Sequence, residues 1–139
     1  MTVVTKQLSI RTRGEEDIQD ITDKVAEAIA ETKLKNGVVT IFVPGSTGAL
    51  TTIEYEPGLK KDLPRVMDQI APYEEYYEHH KTWGDDNGSG HVKASIIGPS
   101  IIVPFKDGDL ILGRWQQIVV INFDTRRRKR NVILQILRS

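Results

Sequence analysis

Alternation of apolar and polar residues along the chain predicts mainly β-strands. Residues 3–12 place Leu8 and Ile10 on one face with charged or hydroxyl residues between them, which is typical of a half-buried strand. The run VVTIFV at 38–43 is short and β-branched, so it predicts a buried strand rather than a helix. Further strands are predicted at 49–55, 91–98, 100–105, 110–113, 115–124 and 132–137, with a hairpin turn at 106–109.

Two segments carry the helical period instead. Apolar residues recur at spacings of three and four over 18–29, and the pair Asn36-Gly37 is expected to end this helix as a C-cap. A second helix is predicted over 59–70, where Pro64 should produce a kink or divide it into two short helices. Residues 73–90 show no period, and long ordered loops of this kind are more often functional than not.

The irregular order of these elements predicts an α+β fold. Strands and helices do not alternate as a doubly wound sheet requires, so we expect a mixed, largely antiparallel sheet or sandwich with two helical segments. A length of 139 residues suits one domain spanning 1–139. The run IVVI at 118–121 is apolar on both faces and needs cover from helices, a second sheet or a neighbouring subunit.

The composition restricts the possible chemistry of the protein more than it restricts the possible folds. The 19 basic residues balance the 19 acidic ones, which argues against a general affinity for nucleic acid or membrane surfaces. Without cysteine, a metal ion could be held only by imidazole and oxygen ligands. No signal peptide and no apolar run of about 20 residues is present, so a cytoplasmic location is expected.

Strand alternation selects one candidate site. If 91–98 is a strand, then His91, Lys93 and Ser95 share a face, and the strand at 49–55 presents Glu54. A carboxylate, an imidazole and an amine would converge if the two faces meet. The alternative is that both are the solvated faces of half-exposed strands.

The preceding loop adds possible ligands. The three histidines of the chain fall within thirteen positions, together with acidic and amide side chains of the kind that Zn²⁺, Mn²⁺ or Mg²⁺ accepts. Their spacing matches no standard metal motif, and at most one of the adjacent pair His79 and His80 is expected to face a site. A solvated loop is the alternative. The candidate ligands here are His79, His80, Asp85, Asp86, Asn87 and His91.

Three further segments could contribute to ligand binding or have only a structural role. The turn PGSTG at 44–48 could bind an anion through its amides and the Ser46 and Thr47 hydroxyls, or be a plain turn. The run RRRKR at 126–130 could bind phosphate, but a solvated hairpin tip is favoured because no aromatic residues interleave. The glutamines that begin at Gln116 place at least one amide on an inward or ligand-facing side.

Three blocks in order, PGSTGALTTIEYEP, YEHHKTWGDDNGSGHVKASIIGPSIIVPF and DGDLILGRWQQIVVINFD, resemble the YjbQ-like family of small conserved proteins, often labelled secondary thiamine-phosphate synthase. The resemblance covers nearly the whole chain. It implies an α+β fold, a homotrimer with sites near subunit boundaries, and a pocket of histidines and acids that holds a divalent metal ion, Mg²⁺ or Zn²⁺.

Carried onto matching positions, the resemblance implies a set of site residues. The catalytic residues would be Glu54, His91, Lys93 and Asp85. The metal ligands would be His79, His91, Glu54 and Asp85, and the ligand-binding residues would be Ser46, Thr47, Asn87, Ser95 and Gln116. Many relatives carry histidine where this chain has Gly45, and others where it has Gly84 and Ser89. Fewer imidazoles favour a weaker zinc site or an Mg²⁺ shell completed by water and carboxylate.

The implied activity joins an aminopyrimidine diphosphate to a thiazole phosphate with release of pyrophosphate, so the expected partner is a small phosphorylated ligand. The alternative is a non-catalytic protein that binds a metal ion or an anion. A third hypothesis is a partner-binding module that uses the basic segment 126–130.

Overall fold

Eight strands form two antiparallel sheets in the computed structural model, which describes residues 1–139. The strands are β1 (Thr2–Thr12), β2 (Asp17–Asp20), β3 (Gly37–Phe42), β4 (Gly48–Ile53), β5 (Ser100–Lys106), β6 (Asp109–Leu110), β7 (Gln117–Asn122) and β8 (Arg128–Arg138). The five-stranded sheet has the order β1-β8-β3-β5-β6, and the three-stranded sheet has the order β2-β7-β4. Every strand pair is antiparallel.

Four helices pack around these sheets: α1 (Thr22–Thr32), α2 (Pro57–Ile70), α3 (Glu78–Trp83) and α4 (Gly88–Ile97). The main core lies between the inner face of the large sheet, one face of the small sheet and α1. A second, smaller core joins the other face of the small sheet to α2 and α4. The small sheet is therefore the middle layer, and the predicted α+β fold with largely antiparallel sheets is confirmed.

Strand β7 is buried on both of its faces. Ile118 and Val120 belong to the main core, whereas Val119 and Ile121 belong to the second core with Met67 of α2. All four β7 residues have an exposed fraction of 0%. The cover expected for this run comes from the large sheet and α1 on one side and from α2 and α4 on the other.

The predicted strand at 91–98 is wrong, because these residues belong to helix α4. Its buried positions are spaced as on a helix, at residues 88–90 and again at Lys93 and Ala94. They carry glycine, serine, lysine and alanine, so the buried stripe is not apolar and gives no helical hydrophobic pattern. Over eight residues the remaining apolar and polar positions alternate well enough to imitate a strand.

Other boundaries also differ from the sequence expectation. Ile18 lies in β2, and α1 ends at Lys33 in a left-handed conformation, while Gly37 begins β3 instead of capping the helix. Helix α2 continues through Pro64 as one helix. The aperiodic segment 73–90 contains α3. None of the four helices is both long enough and apolar enough to span a membrane.

We expect Gly90→Ala to destabilise the fold. An added Cβ would lie 2.4 Å from the carbonyl oxygen of Phe123, which is backbone and cannot move aside. Overpacking of this kind costs about 1–3 kcal/mol in the free energy of unfolding, to be measured by urea denaturation.

Gly113→Ala is the matched control. Its new Cβ would meet only ordinary contacts of 3.5 Å and more, so its free energy of unfolding should change by less than about 0.5 kcal/mol. Equal effects of the two substitutions would contradict the close approach of α4 to β7.

Candidate functional site

Two of the three histidines lie close together, with their rings tilted relative to each other, at the end of the small sheet where β4 begins and β7 ends. His79 lies in α3, and His91 lies near the start of α4. Their ring centroids are 4.2 Å apart with an interplanar angle of 47°. Both residues are partly exposed, so the imidazole pair is open to solvent on one side.

The connection between α3 and α4 supplies polar partners to His79. Its Nε2 lies 3.3 Å from Oδ2 of Asp85 and 3.2 Å from the side-chain amide of Asn87. The Asn87 amide also lies 3.2 Å from both carboxylate oxygens of Asp85. A protonated His79 can donate to Asp85, whereas a neutral ring can accept from the Asn87 amide, so this nitrogen has a partner in either state.

His80 turns away from this pair. Its Nε2 accepts a hydrogen bond from the backbone N–H of Gly88 (3.1 Å), and its ring meets the edge of Tyr77 at 5.5 Å. His80 therefore ties α3 to the start of α4. His79 is the member of the adjacent pair that faces the site.

A buried carboxylate, Asp124, lies beneath the histidines. Its Oδ2 accepts from the Thr47 hydroxyl (3.1 Å) and from Nε of Arg128 (2.9 Å), and its Oδ1 accepts from the backbone N–H of Arg126 (3.3 Å). Burial alone would raise the pKa of Asp124, but hydrogen bonds from the Arg128 side chain, the Arg126 backbone N–H and Thr47 together lower it. Asp124 is thus a fixed negative charge that joins the 44–48 turn to the start of β8.

Arg130 is a buried cation that the sequence analysis assigned to a solvated tip. Arg126 and Arg127 are exposed as expected, but residues 128–130 belong to β8, and only 5% of Arg130 is exposed. Its guanidinium donates to the Thr47 hydroxyl (2.8 Å) and to the side-chain oxygen of Asn122. Alternate residues of β8 point inward, and this places Arg130 on the same buried face as Val132. That alternation was the feature of the sequence that could have identified Arg130 as buried.

The turn at 44–48 rests on this arginine. Gly45 has a φ of +111°, and a Cβ at this position would lie 2.7 Å from Nη1 of Arg130. The positive φ and the lack of room for a Cβ both favour glycine at position 45.

His91 is held in its neutral form. Burial lowers its pKa below the ordinary value, and the neighbouring charge of His79 lowers it further, against the weaker opposing effects of Asp124 and Asp85. A neutral imidazole has one N–H donor and one free acceptor nitrogen. His91 can therefore bind a phosphate oxygen or accept a proton at neutral pH.

Two predicted site residues lie at the other end of the small sheet. Gly48 pairs with Asn122 beside the histidines, whereas Ile53 pairs with Gln117 at the far end of β4. Glu54 follows that far end and is exposed; six residues from Gly48 at about 3.3 Å each give about 20 Å. Gln116 donates to Thr52 at the same far end (2.9 Å). Within one chain, neither side chain joins the histidines.

The predicted grouping of Lys93 with His91 is also wrong. Residues two apart on a helix point to different sides, and the Lys93 side chain is fully buried away from the histidines. Its Nζ donates to Glu16 (2.6 Å) and Asp68 (3.1 Å) and lies 3.6 Å from the ring centroid of Tyr73. Lys93 is part of a structural ion-pair cluster.

The three hydroxyl residues that were predicted to contact a ligand lie in different environments. Ser95 is exposed, and its hydroxyl donates to the backbone oxygen of His91 (2.7 Å) within α4. Thr47 is buried between Asp124 and Arg130, so its hydroxyl supports the turn. Ser46 is exposed on the same turn and remains accessible to a ligand.

The architecture and the histidine cluster define a class of small α+β proteins built from a five-stranded and a three-stranded antiparallel sheet. The family model described as "UPF0047 protein YjbQ-like" matches residues 6–139. The chain therefore belongs to the YjbQ-like, or UPF0047, family, and the resemblance seen in the sequence is confirmed.

Relatives cover almost the full chain. The UPF0047 protein of Archaeoglobus fulgidus is 35% identical over 127 residues, which cover 91% of this chain and 97% of that protein. The UPF0047 protein YugU of Bacillus subtilis is 34% identical over 125 residues, covering 89% and 92%. A YbjQ-like protein of unknown function from Sulfolobus solfataricus has a crystal structure with a TM-score of 0.92, 29% identity and coverage of 99% of both chains.

We expect His91→Gln to reduce the loss of stability on mild acidification. Because the folded-state pKa of His91 lies below its unfolded value, the unfolded chain binds the proton more tightly, and stability falls as pH drops through the unfolded value toward the folded one. The melting temperature should therefore fall less in the variant than in the wild type between about pH 7.5 and 5.5. Identical slopes in the two proteins would contradict a lowered pKa for His91.

Proposed function

We propose that this protein is a transferase of the thiamine-phosphate-synthase type, and that its histidine site binds a small phosphorylated substrate. The observation that carries the proposal is the close approach of the His79 and His91 rings (4.2 Å between centroids) near the Arg128–Asp124 ion pair, with the pKa of His91 lowered by burial. Imidazole, guanidinium and an open polar turn are the groups that a diphosphate leaving group requires.

In the reaction implied by the family label, the bond between the pyrimidine methylene carbon and a diphosphate oxygen breaks. A new bond forms between that carbon and the thiazole nitrogen, and the diphosphate leaves with the electron pair. The protein must therefore stabilise negative charge that develops on the leaving oxygen.

The residues suit this task in different ways. Neutral His91 donates its N–H to the leaving oxygen, while Asp85 and Asn87 fix the orientation of His79 beside it. The half-exposed Arg128 offers positive charge, since Asp124 occupies only part of its guanidinium. The exposed Ser46 hydroxyl and the amides of its turn add donors.

A divalent metal ion at this site stays a proposal. The donors near one another within a single chain are His79, His91 and Asp85, but no group of three or more such residues is arranged as a metal site. Glu54, the fourth expected ligand, lies at the other end of β4. A divalent ion held by His79, His91 and Asp85 would add positive charge to the donors that the protein supplies.

The second candidate is a non-catalytic protein that binds an anion or a metal ion. The separation of Glu54 and Gln116 from the histidines favours it, because fewer groups then surround a bound ligand than the synthase reaction was expected to use. Binding of phosphate compounds without any product would support this candidate over the transferase.

We expect His91→Ala to lower kcat/KM by at least about 100-fold in an assay that supplies the aminopyrimidine diphosphate and the thiazole phosphate and measures thiamine phosphate. His80→Gln is the control, because glutamine retains an acceptor for the Gly88 N–H outside the imidazole pair. The control should keep activity close to the wild type. Wild-type protein that forms no product, or equal activity in both variants, would contradict the transferase proposal.

We also propose a homotrimer formed through the outer face of the large sheet. Paired residues on this face form an apolar row across four strands, and Ile102 and Phe42 nearby are 66% and 43% exposed. The row consists of Pro104, Val38, Leu137 and Val3. An apolar row across an outer sheet face is typical of a surface covered by another copy.

Ile102→Lys should reduce the assembly from trimer to monomer, as measured by sedimentation velocity, because a buried unpaired cation opposes association. Val66→Lys, which places the same charge at a 41% exposed apolar position on α2, should leave the trimer intact. A wild-type protein that sediments as a monomer would refute the assembly.

A further inference from the structure

A second concave site lies apart from the histidines. A groove of about 930 Å³ runs between the ends of β1 and β8 and the short strand β2, and none of the three histidines lines it. Cations outnumber anions two to one among its charged residues. The cations are Arg11, Arg13, Lys60, Arg127, Arg128 and Lys129, and the anions are Glu16, Asp17 and Asp20.

The three carboxylates of the groove already have partners. Glu16 accepts from the buried Lys93, and Asp20 accepts from the backbone N–H and hydroxyl of Thr22. Asp17 is buried and accepts from the backbone N–H of Arg13 and from the side chain of Gln19. These contacts fix the positions of the three carboxylates, and the six cations leave the groove with an excess of three positive charges.

Four of the six cations lack an ionic partner. Arg13 pairs with Asp17 and Arg128 pairs with Asp124, but no ion pair forms at the remaining four. Lys60 lies over the ring of Tyr55 at 4.3 Å, which leaves its charge uncompensated. The unpaired cations are Arg11, Lys60, Arg127 and Lys129.

Two of these cations face each other across a strand pair. Arg11 of β1 is the direct register partner of Lys129 of β8. Both are exposed, while the next residues, Thr12 and Arg130, point inward. Like charges directly opposite on antiparallel strands are destabilising, so an anion bound between them would remove a repulsion that the free protein retains.

We propose that this groove binds a small ligand that carries several phosphate groups, of the polyphosphate or nucleoside polyphosphate class. Its volume lies within the range of small-molecule pockets, about 300–1,000 Å³. Several unpaired cations around one hollow suit a compact polyanion better than a single phosphate. The groove shares Arg128 with the histidine site, but its four unpaired cations lie outside that site, and the proposal does not depend on the transferase reaction.

Nucleic acid is less suited to the groove. The groove contains one aromatic residue, Tyr55, and Lys60 covers its ring, so no stacking platform is available for bases. The chain as a whole has no net charge, so no general attraction for a long phosphate backbone is expected outside the groove.

Isothermal titration with inorganic tripolyphosphate at physiological ionic strength tests the proposal. The double variant Arg11→Gln/Lys129→Gln should bind at least about tenfold more weakly than the wild type, since two charged contacts are lost. The control Lys61→Gln/Lys106→Gln removes two exposed cations that do not line the groove, and its affinity should change by less than about twofold. His79→Ala should bind tripolyphosphate as the wild type does.

The melting temperature provides a second test, because it reports the repulsion between Arg11 and Lys129. Without ligand and at low salt, Arg11→Gln/Lys129→Gln should melt at a higher temperature than the wild type, whereas tripolyphosphate should raise the melting temperature of the wild type by more than that of this variant. The proposed binding site would be refuted if the wild type did not bind tripolyphosphate, if both double variants lost the same affinity, or if His79→Ala lost binding. Tighter binding of a single-stranded oligonucleotide than of tripolyphosphate would overturn the ligand class.

Discussion

The site depends on the need to satisfy one buried carboxylate. Asp124 follows β7 into the interior, where an ionised group persists only with several donors around it. Thr47, Arg128 and the Arg126 backbone supply these donors, and the Asp124 carbonyl also accepts from the N–H of Glu15. The Asp124 carboxylate thus fixes the turn before β4 and the start of β8, and its backbone carbonyl holds the loop before β2. The histidines lie on this platform.

Much of the scaffold was predictable because its strands are long or strongly apolar. The alternation over residues 3–12 and the β-branched run at 38–43 correspond to β1 and β3. The double-sided burial at 118–121 follows from four consecutive apolar residues. In each case one local pattern agrees with the tertiary environment, and no polar group intrudes.

Helix α4 escaped prediction because its buried side is defined by size and ion pairing instead of hydrophobicity. Gly90 lies against the Phe123 carbonyl, and Lys93 is buried only because Glu16, Asp68 and Tyr73 surround it. These partners come from distant parts of the sequence, so no window around the helix contains the reason for its burial. The same error misplaced Lys93 and Ser95 relative to His91, while the grouping of His79, Asp85 and Asn87 depended only on nearby residues and was found.

The arginine beneath the 44–48 turn makes two positions of the chain interdependent. Arg130 occupies the space that a side chain at Gly45 would enter, and the left-handed backbone there penalises any other residue. Substitutions at positions 45 and 130 are therefore expected to be non-additive, because a side chain at position 45 needs the space that only a smaller residue at position 130 would leave.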